Sequence, residues 1–134
     1  MCNCSQIVFN HTTFEVCGIL IAFKVIDNDF GYIRLASFNE SAYPQIVEHL
    51  QALQKKDIKG LIFDLRNNPG GLLQAATNIS NHFLDENKTA NATIVSVAGR
   101  HHEESHFEEV NGPDNTNALP MVVLVNAGSA SASE

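Results

Sequence analysis

The spacing of apolar and polar residues along this chain changes period several times, and each change marks an element. Gly31-Tyr-Ile-Arg-Leu-Ala-Ser-Phe38 alternates apolar and polar positions, the period of a strand. From Ala42 to Lys55 the period lengthens, and Ile46, Val47, Leu50 and Leu53 share one face of a helix that Asn39 or Ser41 is placed to cap. Gly60-Leu-Ile-Phe-Asp-Leu65 is a short apolar run, as expected of a strand buried on both faces. Arg66-Asn-Asn-Pro-Gly-Gly71 is a turn. A second helix is expected from Leu72 to Leu84, with Leu72, Leu73, Ala76, Ile79 and Phe83 facing inward. Thr93 to Val97 and Ser105 to Val110 read as strands, and Pro120-Met-Val-Val-Leu-Val125 as a second fully buried strand. Residues 1–28 show no clear period.

Strand–helix–strand alternation around two apolar strands predicts an α/β fold, a sheet of substantial parallel character with flanking helices. In such sheets function gathers at the carboxyl ends of the strands. Both unusual turns, Asn67 to Gly71 and Asn126 to Ser131, fall there.

Composition narrows the classes. The 134 residues fit one domain with a modest core. The longest apolar stretch, Val16 to Ile26, is broken by Gly18 and Lys24 and falls short of the ~20 residues of a membrane helix. No basic region precedes it and no small-residue cleavage site follows, so it does not read as a signal peptide. A net charge of −7 argues against nucleic acid and anionic membranes as partners. The acidic stretch Glu103 to Asp114 reads as a solvated loop or hairpin. Cys2, Cys4 and Cys17 make an odd count without C-x-x-C spacing, which argues against a disulfide framework. Sequons at Asn3, Asn10, Asn39, Asn78, Asn87 and Asn91 are expected by chance in an Asn-rich chain and do not by themselves indicate secretion.

Three constellations bear on chemistry. In Val122-Val-Leu-Val-Asn-Ala-Gly-Ser-Ala-Ser-Ala-Ser-Glu134 an apolar strand meets a Gly turn and then a Ser/Ala segment. A serine at a helix start sits beside unpaired N–H groups that stabilise a reacting oxyanion, and the alanines leave room for a substrate backbone. The plainer alternative is that Ser129 or Ser131 caps the helix. In Asn67-Asn-Pro-Gly-Gly71 consecutive glycines let the backbone aim N–H groups at a ligand, with an ordinary tight connection as the alternative. The phosphate-loop pattern is absent. Asp64 and Arg66 flank this turn and are placed to pair or orient it. Finally, His102-Glu-Glu-Ser-His106 matches the zinc pattern H-E-x-x-H, but its surroundings are polar and strand-like, so exposed hairpin histidines and no metal are expected. Lys55, Lys56 and Lys59 read as a solvated helix end.

Taken together, these residues resemble the C-terminal processing (tail-specific) serine peptidase family. The resemblance rests on three blocks in order: Gly31 to Phe38, Lys59 to Leu73, and Pro120 to Glu134. It implies an α/β, Clp protease/crotonase-like core and a serine endopeptidase with a Ser–Lys dyad and no cofactor. Ser131 would be the nucleophile. The N–H of Ala132 would be one oxyanion donor, and a Gly of the turn the other, Gly71 ahead of Gly70. Residues 29–134 would form a partial catalytic domain and residues 1–28 an unassigned segment, such as a remnant of a preceding PDZ or linker region. The family's lysine lies beyond residue 134, so these residues are expected to be a fragment without activity of its own. Protein or peptide substrates, an extracytoplasmic parent and homo-oligomers of that parent are further implications. The alternative is a non-catalytic ligand-binding or scaffold domain on the same core.

Overall fold

The computed structural model of the chain describes residues 5–9, 12–17, 21–88, 93–97 and 106–134. Eight strands and two helices occur among them: β1 (Ser5–Phe9), β2 (Thr12–Cys17), β3 (Ile21–Ile26), β4 (Phe30–Leu35), α1 (Ala42–Gln54), β5 (Gly60–Asp64), α2 (Leu73–His82), β6 (Thr93–Val97), β7 (His106–Glu109) and β8 (Met121–Leu124). A short 3-10 turn, η1 (Ser131–Ser133), closes the series. The main sheet has the order β1-β2-β3-β4-β5-β8, and β6 and β7 form a separate two-stranded ribbon.

The sheet changes character halfway. β1 to β4 run as an antiparallel meander. Asp27 and Asn28 turn β3 into β4 with φ of 51° and 61°, a left-handed backbone that short polar side chains tolerate. From β4 onward the pairing is parallel, β4 with β5 and β5 with β8. Parallel neighbours need a crossover, and α1 supplies the first one. Its Ala42, Ile46, Leu50 and Leu53 are buried, as are Ile33 and Leu35 of β4, Leu61 and Phe63 of β5, and Ala75, Ala76 and Ile79 of α2. These side chains form one cluster, so both helices cover the same face of the sheet. His49 joins that face by stacking on Phe23, ring centroids 4.0 Å apart.

The α/β sheet with parallel strands is therefore as the sequence pattern predicts, and four details differ. Residues before β4 carry three strands, because antiparallel pairing along a meander compensates for a weak hydrophobic period. Pro120 to Val125 is not fully buried. Among the described residues β8 pairs only with β5, and Val122 and Val125 are each 59% exposed. The inward face of α2 is Ala75, Ala76, Thr77 and Ile79, whereas Leu72 and Leu73 are exposed. Leu72 is still extended (φ −68°, ψ 122°), so the helix starts one residue later, at Leu73, and Ala76 and Ile79 keep the inward face expected of them. On α1, Val47 is only half-buried. The acidic stretch overlaps the β6–β7 hairpin. Cys2, Cys4 and His102 to Ser105 lie outside the described residues, and His106 opens a strand rather than a helix.

Ile46, fully buried between α1 and the sheet, gives a test of this packing. Ile46→Ala should lower unfolding stability in urea by about 2–5 kcal/mol, against a smaller loss for Val47→Ala. Equal losses would place the helix face wrongly.

Candidate active site

The parallel register sets Asp64 opposite Leu124, so β5 and β8 release their chains side by side at the same end of the sheet. Leu65 N–H donates to Leu124 O at 2.9 Å and carries the pairing one residue further. Beyond it the two turns are sewn together. Asn67, held at φ 60°, donates its N–H to Asn126 Oδ1 at 2.9 Å, and Asn126 Nδ2 returns a bond to Asn67 Oδ1 at 2.9 Å. Asn126 Oδ1 also accepts from Gly128 N–H at 3.0 Å. Asn68 is fully buried, and its carbonyl accepts from Ala130 N–H (3.1 Å) and Ser133 Oγ (3.0 Å).

These bonds separate three serines that look alike in sequence. Ser129 Oγ accepts from Asn126 N–H and donates to Leu65 O at 2.8 Å. Ser133 Oγ donates to Asn68 O. Both hydroxyls are structural ties. Ser131 Oγ has no hydrogen-bond partner among the described residues, and Ser131 is exposed. Its backbone sits at φ 56°, an uncommon conformation for a side-chain-bearing residue and one that tends to accompany function. Nor does the Ser131 hydroxyl cap a helix. The residue before η1 is Ala130, and the Ser131 N–H donates to Glu134 Oε2 at 2.8 Å. That is half of a capping box, in which the glutamate reaches back while the serine hydroxyl stays unused.

The glycine turn stands against this segment. A Cβ on Gly70 (φ 102°) would lie 2.7 Å from Ala130 O and 2.9 Å from Ala132 N, so only glycine permits the approach. Gly71 (φ 141°) bridges to Phe38 in parallel fashion, through Phe38 N–H to Gly70 O at 2.9 Å and Leu72 N–H to Phe38 O at 2.7 Å. This bridge employs the groups on either side of Gly71 and leaves its own N–H out. Neither Gly71 N–H nor Ala132 N–H has an acceptor among the described residues. Gly70 N–H, in contrast, donates to Asn68 Oδ1 at 2.8 Å. An apolar groove of about 310 Å³ runs beside η1, lined by Phe38, Leu65, Ile79, Phe83, Val123 and Ala132 among others.

Asp64 and Arg66 do pair. Asp64, fully buried, accepts from Arg66 Nε (2.9 Å), Arg66 Nη2 (2.7 Å), Arg66 N–H (3.0 Å) and Tyr32 Oη (2.6 Å). Burial alone would raise its pKa, but the Arg66 and Tyr32 hydrogen bonds prevail and hold it at about 2, from an ordinary 3.8. Tyr32 moves the opposite way, pushed up to about 12 by burial and by its bond to the Asp64 carboxylate. This cluster braces the start of the glycine turn. Lys55 and Lys56 are exposed at the end of α1, and Lys59 pairs with Asp29 at 2.8 Å at the other end of β5.

The structure thus brings Gly70 against Ser131 and Ala132, while Gly71, next in the turn, lies against Phe38. The periodicity missed Asn68, whose role depends on tertiary contacts. It also missed Glu134, although the spacing Ser-x-x-Glu signals a capping box.

The profile of Peptidase family S41 matches residues 29–134. A carboxyl-terminal-processing protease of Synechocystis sp. is 45% identical over 104 residues, covering 78% of this chain and 23% of that protein. Carboxy-terminal processing protease CtpA of Bacillus subtilis is 39% identical over 108 residues, covering 81% of this chain and 22% of the relative. Among solved structures, a photosystem II D1 C-terminal processing protease superposes with a TM-score of 0.67 at 30% identity, over 91% of this chain and 33% of its own. The chain spans about a quarter of the length of these curated relatives.

The depressed Asp64 pKa has a sign that can be tested. A carboxyl whose folded value lies below its unfolded one stabilises the fold above the unfolded value, and the contribution is lost as pH falls through the folded value. Acid titration of stability should therefore show a loss of roughly 2 kcal/mol between about pH 4 and pH 2 that Asp64→Asn lacks. Identical acid limbs in the two proteins would rule out the pairing.

Proposed function

This chain belongs to Peptidase family S41, and we propose that it carries the nucleophile and oxyanion hole of a C-terminal processing serine endopeptidase. Ser131 is the nucleophile, and the N–H groups of Ala132 and Gly71 are the oxyanion donors. One observation carries this reading. Of three neighbouring serines, only Ser131 has no hydroxyl partner among the described residues, and the N–H groups of the adjoining Ala132 and of Gly71 in the apposed turn have no acceptor there either.

The chemistry follows from these groups. Ser131 Oγ attacks the scissile carbonyl carbon while a base removes its proton. The carbonyl oxygen becomes an oxyanion, which the two N–H groups hold without reorganising. Collapse breaks the C–N bond, the base returns the proton to the leaving amine, and water then releases the acyl group from Ser131. The base is a lysine of a Ser–Lys dyad, supplied from beyond residue 134. None of the chain's own five lysines suits the role. Lys55, Lys56 and Lys59 cluster at the far end of β5, Lys88 pairs with Asp85 at 3.4 Å, and Lys24 lies over the Tyr32 ring.

Residues 29–134 are then part of the catalytic domain, residues 1–28 precede it in sequence and add β1 to β3 to its sheet, and the substrates are protein C-terminal regions. Work outside the cytoplasm, in a periplasm, at a cell surface or in an organelle lumen, fits relatives such as a chloroplastic C-terminal processing peptidase of Tetradesmus obliquus. No helix among the described residues is long and apolar enough to cross a membrane.

A polypeptide of these 134 residues should not cleave an unfolded protein, whereas the intact gene product should. In the latter, a fluorophosphonate should label Ser131, and Ser131→Ala should abolish both labelling and cleavage. Ser131-dependent cleavage by the 134-residue polypeptide would remove the need for an outside base. Full activity of Ser131→Ala would remove the nucleophile assignment.

A further inference from the structure

Asn68 is the fully buried polar residue on which both turns of the site converge. Its N–H donates to Leu65 O at 3.1 Å, and its carbonyl holds the serine segment through Ala130 N–H and Ser133 Oγ. Its side chain does something separate. Nδ2 donates to Leu35 O at 3.0 Å, which ties the turn to the end of β4. Oδ1 accepts from Gly70 N–H at 2.8 Å. The two side-chain partners are one acceptor and one donor, so the orientation of the amide is fixed by what it touches.

We infer that Asn68 is the positioning residue of the oxyanion hole: by occupying the Gly70 N–H and anchoring the turn to β4, it leaves Gly71 N–H as the donor that works with Ala132. This rests on the peptidase reading above and deepens it. Two adjacent glycines at φ 102° and 141° offer two N–H groups; that of Gly70 is already donated to Asn68 Oδ1, and that of Gly71 has no acceptor among the described residues. A turn free to exchange between them would have to reorganise in the transition state, and preorganisation is where an oxyanion hole gains its effect. The Asn68 side chain removes the choice. It touches neither the nucleophile nor the substrate, so it acts only through the position of the glycine turn. Gly70 contributes shape instead: its missing Cβ lets the turn approach Ala130 and Ala132.

The test uses the intact gene product, a peptide substrate and a peptidyl boronic acid as tetrahedral mimic. Asn68→Ala should lower kcat and boronate affinity together, each by about 10²-fold, with KM little changed. A merely structural loss would reduce the amount of active protein and leave the boronate affinity of the folded fraction alone. Unchanged boronate affinity would overturn the inference. Should Asn68→Ala fail to fold, the unmutated protein decides by NMR. Boronate binding should move the amide protons of Gly71 and Ala132 downfield and leave Gly70 in place, and a shift at Gly70 instead of Gly71 would overturn the inference. A boronate that does not bind, together with full turnover by Ser131→Ala, would sink the peptidase reading itself and the inference with it.

Discussion

The parallel pairing of β5 with β8 is the constraint on which the rest of this structure depends. Parallel neighbours end at the same side of a sheet, so the chain leaves Asp64 and Leu124 at the same level. Two turns far apart in sequence are thereby brought into contact, one rich in glycine and one rich in serine. Antiparallel pairing would send them to opposite ends. The helices contribute by packing on a single face, across β4 and β5.

Burial then makes the polar contacts between the turns exacting. A buried amide or carboxylate without partners costs about 1–3 kcal/mol or more, so each must be matched in place. Asn68 meets this requirement through Leu35, Leu65, Gly70, Ala130 and Ser133, and Asp64 through Arg66 and Tyr32. The same bonds that satisfy these groups also define which ones are left over. Among the described residues, what remains is the Ser131 hydroxyl and the N–H groups of Gly71 and Ala132. Rigid surroundings and uncommitted reactive groups thus arise from one bonding pattern.

Much of this was legible in the residues themselves. The apolar run Gly60 to Leu65 and the turn Asn67 to Gly71 signalled a buried strand delivering a special turn, and the Gly-Ser-Ala-Ser-Ala-Ser segment signalled its counterpart. The α1 face followed from helical spacing at Ile46, Leu50 and Leu53. Less legible were the features set by tertiary pairing. β1 to β3 lack a clear alternation, and pairing with neighbours gives them their form. The exposure of Val122 and Val125 depends on what flanks β8, which no local pattern encodes. Spacing could not rank the three serines, because their distinction lies in bonds to Leu65 and Asn68, more than sixty residues away.

The central claim is that Ser131 attacks while Gly71 and Ala132 receive the oxyanion. A crystal structure of the intact gene product with a peptidyl boronic acid tests it most directly. The account predicts a covalent bond from Ser131 Oγ to boron, with one boronate oxygen within hydrogen-bond distance of both Gly71 N and Ala132 N. Boron on Ser129 or Ser133, or a boronate oxygen turned away from these two N–H groups, would contradict it.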